Sequence, residues 1–126
     1  RLPAVNVERG TFLLPDEMTY EEGTFVEPLA CVARGMRVAR FEAGKSVAVL
    51  GSGISGTLFV KLAGALGAAR VFSTDVSEQR LAMARAAGAD AAILVTADVG
   101  ACIREANEGR GADLVIATTA ALPAIG

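Results

Sequence analysis

Histidine is absent from the 126 residues, which excludes Ser-His-Asp and Cys-His catalysis and any histidine-ligated metal site built from this stretch alone. The only two cysteines, Cys31 and Cys102, are isolated in helical patterns with no CxxC spacing, and they read as buried thiols of a reduced compartment. Aromatic residues are few and no basic patch is present, so nothing asks for a polyanion such as nucleic acid. Apolar runs stop far short of the roughly 20 residues that a membrane-spanning helix needs, and no signal-peptide pattern is visible. A cytoplasmic setting is the default expectation. What remains is a composition near half hydrophobic, rich in alanine and glycine, with a formal net charge of -2. That describes one soluble α/β domain.

The stretch Ser46-Val47-Ala48-Val49-Leu50-Gly51-Ser52-Gly53-Ile54-Ser55-Gly56 reads as a buried strand, a glycine turn and the opening of a helix. A continuous apolar run ending at glycine suits a strand covered on both faces. The rest of the chain can be ordered around it. Residues 1–16 carry Pro3 and Pro15 around a short apolar run and are expected to form an edge strand or an extended lead-in. From residue 19 the pattern turns helical. Thr19 and Glu22 spell a capping box, a second helical piece is expected from Pro28, and Phe25, Leu29, Val32 and Met36 recur at helical spacing. Gly44 closes the connection into the first strand.

The helix after the glycine turn is expected to present Leu58, Leu62 and Leu66 on one face and Phe59 and Ala63 beside them, with Gly67 at its C′ position. Residues 70–75 form a second strand, Ser77 caps a helix over 78–87, and Gly88 closes it. A weaker strand over 91–95 precedes a helix over 98–108 with Val99, Ile103 and Ala106 inward, and residues 113–118 form a fourth strand. Strands alternating with helices of about ten residues predict a doubly wound, Rossmann-type parallel sheet of order 3-2-1-4. A further helical segment begins after Pro123. The absence of an initial methionine and this unfinished ending suggest a piece of a longer protein, with residues 1–23 leading in from a missing catalytic domain and 24–126 forming a partial dinucleotide-binding domain.

In such a sheet a ligand sits beyond the carboxyl ends of the strands, where the strand order reverses. Gly51 would permit the tight turn, Gly53 would let a pyrophosphate approach, and Gly56 would let the helix pack close to the strand. The N–H groups of Ile54 and Ser55 would then face the phosphates. Asp75 follows at roughly the 20-residue spacing at which an acid accepts hydrogen bonds from the adenosine ribose, and its charge would repel a 2′-phosphate, favouring NAD over NADP. The blander reading is a strand-end aspartate that caps the turn before Ser77. Arg80 could serve a 2′-phosphate or lie solvated in its helix, and Val76 could line an adenine pocket or belong to the core. S-adenosylmethionine-dependent methyltransferases share this layout, but they usually place the third glycine where Ser55 stands and an acid where Leu50 stands.

The runs Glu27-Pro28-Leu29-Ala30-Cys31-Val32, Val49-Leu50-Gly51-Ser52-Gly53-Ile54-Ser55-Gly56, Thr74-Asp75 and Gly88-Ala89-Asp90 together resemble the medium-chain zinc-dependent dehydrogenases, most closely the sorbitol and threonine dehydrogenase branch. The resemblance implies a parent enzyme that passes a hydride between a secondary alcohol or polyol and NAD, with zinc held mainly by a catalytic domain outside these residues. Glu27 matches the acid that lies at or near that metal, and Cys31 would face the nicotinamide side. Thr119 stands at a position where the family carries threonine and is carried over as a cofactor contact. The family's acid and glycine around it are replaced by Ala117 and Ala120. Two other readings stand beside this one: a zinc-free, NADPH-dependent quinone or enoyl reductase of the same superfamily, and a nucleotide-sensing module without chemistry. The expected partners are a small alcohol substrate and further copies of the chain, as a dimer or tetramer, with neither nucleic acid nor membrane.

Overall fold

The computed structural model describes residues 2–96 and 98–119; the expectations for Ala120 and for a helix after Pro123 lie outside them. The chain forms α1 (Ala4–Gly10), α2 (Tyr20–Gly23), α3 (Val26–Val38), β1 (Ser46–Leu50), α4 (Ile54–Ala65), β2 (Arg70–Asp75), α5 (Glu78–Ala86), β3 (Ala91–Leu94), α6 (Val99–Ala106) and β4 (Leu114–Ala117). All strand pairs are parallel and the sheet runs β3-β2-β1-β4, the expected order.

Strand β1 is apolar throughout because both of its faces are covered. Val47 and Val49 point into a core shared with Met36 of α3, Val60 and Ala63 of α4, and Val71 of β2. Ala48 points the other way, toward Phe72, Ile93 and Ile103 of α6. Ala48 and Phe72 are register partners, so the small residue makes room for the large one. Phe72 is fully buried, which by itself contributes about 1.5–3 kcal/mol of transfer free energy. The register Leu50↔Thr74 and Leu50↔Ala117 brings the carboxyl ends of β1, β2 and β4 level, which places the glycine turn beside the ends of both neighbours.

Local chemistry explains where helices start and stop. Thr19 and Glu22 form the expected capping box, with the Glu22 carboxylate accepting from Thr19 N–H at 2.8 Å. Ser77 and Asp98 accept from the third N–H of α5 and α6. Gly67, Gly88 and Gly109 take positive φ after α4, α5 and α6, the left-handed geometry that ends a helix at no Cβ penalty.

Several expectations fail for identifiable reasons. Residues 4–10 are a helix and not an edge strand: Pro3, with φ near -59°, stands at its N-cap, its carbonyl accepts from Asn6 and Val7, and among the described residues the four strands of the sheet do not include this segment. The extended character holds only beyond it, and α1 buries nothing. Helix α3 starts at Val26, two residues before Pro28, and only Val32 and Met36 of its apolar series are buried; Phe25 and Leu29 are exposed. In α4 the buried line is Gly56, Val60 and Ala63, because the close approach to β1 is set by Gly56; Leu58 and Leu62 are half-buried and Leu66 is exposed. In α6, Val99 packs against the core cluster and Ile103 is buried, but Ala106 is exposed. Beyond its end Asn107 turns inward instead, donating to the Gly111 carbonyl and the Ser46 hydroxyl.

Asn107 belongs to a polar tie at the amino end of the sheet. The Asp113 carboxylate accepts from both the N–H and the hydroxyl of Ser46, each at 2.7 Å, joining the starts of β1 and β4. These bonds from Ser46 hold the Asp113 carboxyl below its ordinary value of 3.8. A carboxyl that binds its proton more weakly folded than unfolded adds stability above the unfolded pKa and loses it as pH falls through the folded one. Asp113→Asn is therefore expected to be less stable than the parent at neutral pH. The gap should narrow below about pH 4, as read from urea midpoints at a series of pH values.

Candidate functional site

The carboxyl ends of β1, β2 and β4 enclose the turn at residues 51–56. Gly51 takes φ of +102° and donates its N–H to the Thr74 carbonyl at 2.9 Å. A side chain there would be strained by the backbone and would also meet the Thr118 hydroxyl. At Gly56 a Cβ would run into the Gly51 carbonyl oxygen, so glycine is what lets α4 sit against the end of β1. Gly53 differs: a Cβ there would meet nothing within 4 Å. It is the N-cap of α4 and makes no side-chain cap bond, so among the described residues no side chain caps the start of the helix.

Asp75 is 6% exposed and ties this turn to the next. Its Oδ2 accepts from Ser52 N–H at 2.8 Å and its Oδ1 from Ser77 N–H at 3.0 Å. The turn-capping role expected as the blander reading is thus real, and it extends to the glycine turn as well. A carboxylate has about four acceptor positions, so two such bonds leave capacity for a ligand. The Arg80 guanidinium approaches Asp75 at 3.8 Å with a side chain 59% exposed, a pairing that contributes little to stability.

Gly51, Thr74, Asp75, Val76, Arg80, Val95 and Thr119 line a depression of about 80 Å³. Val76 is 76% exposed, so it is not a core residue. On the other side of the turn Phe25, Gly53, Ile54, Leu58, Lys61 and Met83 line a larger, apolar cleft of about 440 Å³, with Arg80 shared between the two. The structure therefore gathers Gly51, Gly53, Ile54, Asp75, Val76, Arg80 and Thr119 around one turn, with Ser55 exposed in the first turn of α4 and Gly56 buried behind it.

Glu27 is not part of either lining. It lies in the first turn of α3 and accepts a hydrogen bond from the Cys31 thiol at 3.0 Å. Cys31 is exposed, contrary to the expected buried thiol, and the adjacent Glu27 carboxylate raises its pKa above the ordinary 9.0. Cys102 is half-buried. Among the described residues no group of three or more His, Cys, Asp or Glu side chains is gathered to hold a metal ion, and no helix is long and apolar enough to cross a membrane.

Two residues at the turn carried no signal in the sequence pattern. Ser52 is buried, its hydroxyl bonded with the Ser73 hydroxyl at 2.9 Å and donating to the Thr74 carbonyl. Thr118 donates its hydroxyl to the carbonyls of Leu50 and Gly51. Both contacts join residues far apart in the chain, which no local motif reveals.

Comparison with known proteins adds an independent line. A sequence model of the zinc-binding dehydrogenase family matches residues 55–125. Sorbitol dehydrogenase of Bombyx mori is 42% identical over 82 residues, 65% of this chain and 24% of that protein. The crystal structure of 2R,3R-butanediol dehydrogenase from Bacillus subtilis superposes with a TM-score of 0.76 at 34% identity, covering 86% of this chain and 31% of the other. A protein from Sinorhizobium meliloti, assigned as a zinc-binding dehydrogenase and solved with NADP bound, gives a TM-score of 0.83 at 31% identity, covering 90% and 34%. The chain thus spans roughly a quarter to a third of the length of these relatives.

Two expected outcomes follow from the geometry alone. Gly56→Ala should destabilise the fold by about 1–3 kcal/mol in urea titration, because the obstructing atom is backbone and cannot swing aside. Glu27→Gln should speed alkylation of Cys31 by iodoacetamide at pH 8, since losing the carboxylate lowers the thiol pKa and raises the thiolate fraction. An unchanged rate would show that the Glu27 contact does not govern the thiol.

Proposed function

Because the chain belongs to the zinc-binding dehydrogenases, we propose that it is the dinucleotide-holding part of an oxidoreductase that moves a hydride between a secondary alcohol or polyol and NAD. The observation that carries this reading is the turn itself. Gly51 and Gly56 are required by contacts inside the protein, whereas among the described residues a Cβ on Gly53 would meet nothing within 4 Å at the start of α4. A pyrophosphate fits there, met by the N–H groups of Ile54 and Ser55 and by the helix dipole. The unused acceptor positions of Asp75 take the ribose hydroxyls, and Val76 and Thr119 flank the adenosine side of the small depression. When bound, the nicotinamide supplies the hydride acceptor.

Zinc does not fit the described residues as a complete site. Glu27 offers a carboxylate, but its neighbour Cys31 is bonded to it and no third ligand is gathered nearby. The remaining ligands, the alcohol pocket and the proton path belong in this reading to a catalytic domain outside these residues. The chain alone is expected to bind cofactor without turnover, and further copies of the parent protein would complete a dimer or tetramer.

Arg80 is the observation that favours a second cofactor. It lies beside Asp75 with most of its side chain exposed, where a 2′-phosphate could draw it away. The NADP-bound relative from S. meliloti supports the same alternative for the cofactor; the zinc-free NADPH-dependent quinone or enoyl reductase is the enzyme that alternative would suit. A bare sensing module is the remaining alternative. Asp75 supports NAD in this reading, because a carboxylate beside the ribose would repel a 2′-phosphate.

Calorimetric titration of the chain is expected to show tighter binding of NAD than of NADP, and equal affinities would remove the role assigned to Asp75. Gly53→Ala should leave the melting temperature unchanged, since its Cβ meets nothing in the free protein, yet weaken NAD binding about tenfold or more. Undiminished NAD affinity in that variant would show that the pyrophosphate does not lie over Gly53.

A further inference from the structure

We propose that Thr118 is a positioning residue for the bound dinucleotide, its hydroxyl bracing the glycine turn from the β4 side; the proposal rests on the nucleotide-binding reading above. The Thr118 hydroxyl lies 3.1 Å from the Leu50 carbonyl oxygen and 2.9 Å from that of Gly51, while its N–H donates to the same Leu50 carbonyl at 2.9 Å. One hydroxyl proton is thus shared between two acceptors in a three-centre bond. The same oxygen occupies the notch left by two missing side chains. It would stand 2.9 Å from a Cβ on Gly51 and 3.1 Å from one on Gly56. The two glycines therefore make room for Thr118 as well as for the turn and the close helix.

This placement has an electrostatic meaning for an anionic ligand. The carbonyls of Leu50 and Gly51 end β1 beside the opening of α4; the Leu50 oxygen also has the Thr118 N–H, so it is the Gly51 oxygen that the hydroxyl keeps from standing free, where it would repel a pyrophosphate. A donor that engages it screens that repulsion. It also fixes the Gly51 peptide, and through it the direction of the N–H groups that follow. Ser52 holds the other side of the turn, with its N–H on Asp75 and its hydroxyl on Ser73 and Thr74. On the α4 side the Thr57 hydroxyl reaches the Ser52 carbonyl at 3.4 Å, so the Thr118 hydroxyl is the side-chain donor that β4 gives to the Gly51 carbonyl.

The test compares the full chain with Thr118→Val, which keeps the shape and loses the hydroxyl, and Thr118→Ser, which keeps the hydroxyl. NAD, ADP-ribose and adenosine are titrated into each. Thr118→Val is expected to weaken NAD and ADP-ribose about three- to tenfold, the worth of one hydrogen bond, while adenosine, which lacks the pyrophosphate, binds as before. Thr118→Ser should restore the loss. Should the valine variant not fold, Thr118→Ala carries the same expectation. Parent-like ADP-ribose affinity in the hydroxyl-free variant, failure of serine to restore binding, or a parallel loss of adenosine would overturn the proposal. An unmutated chain that binds neither NAD nor ADP-ribose would instead overturn the nucleotide-binding reading itself, and this proposal with it.

Discussion

The carbonyl oxygen of Gly51 is wedged between the α carbon of Gly56 and the hydroxyl of Thr118. A peptide carbonyl in a protein interior must find a donor, and one this close to a helix start must also find room. Glycine at position 56 supplies the room and Thr118 supplies the donor. The rest follows from that packing. It sets the distance of α4 from β1, which selects Gly56, Val60 and Ala63 as the buried line of the helix. The carboxylate of Asp75 then secures the next peptide through Ser52 N–H and reaches on to Ser77, where α5 begins. One buried carboxylate thus coordinates the starts of two helices.

Most of the sheet was legible in the sequence because its signals are local. Residues 70–75 alternate with helical patterns punctuated by Ser77 and Gly88, and both act as their chemistry requires. The continuous apolar run of β1 announced burial on both faces. The readings that failed are those in which a local pattern competes with tertiary geometry. Of the leucines at helical spacing only Leu62 packs against the core, together with Phe59 and the buried Ala63 that were expected beside them, while Leu66 is exposed. The edge strand or extended lead-in expected over residues 1–16 holds only as extended chain after Thr11, while residues 4–10 close the local hydrogen bonds of a short helix.

The candidate site was legible in the same proportion. The positions of Gly51, Gly53, Gly56 and Asp75 could be read because a strand, a turn and an acid at a fixed spacing carry a mechanism. What could not be read was how Asp75 divides its lone pairs, since Ser52 and Ser77 approach it only in the folded chain. Ser52 and Thr118 fill variable positions of their motifs and become visible only through partners across the sheet. Glu27 illustrates the converse. Its resemblance-based assignment is local and specific, but the structure gives it only Cys31 as a companion, so the chemistry implied for it depends on residues elsewhere.

The two supports of the turn differ in the length of chain they close. The bond from Ser52 to Asp75 spans 23 positions, whereas those from Thr118 to Gly51 and from Asp113 to Ser46 span 67. Closing the longer loop carries about 1 kcal/mol more entropic penalty. Strand β4 is therefore the wall whose closure costs more, and beside its ladder to β1 it is fastened by side chains at both of its ends. A ligand that needs the turn in this form would bind only the chain with β4 in place, so by mass action its binding would add to the retention of that strand.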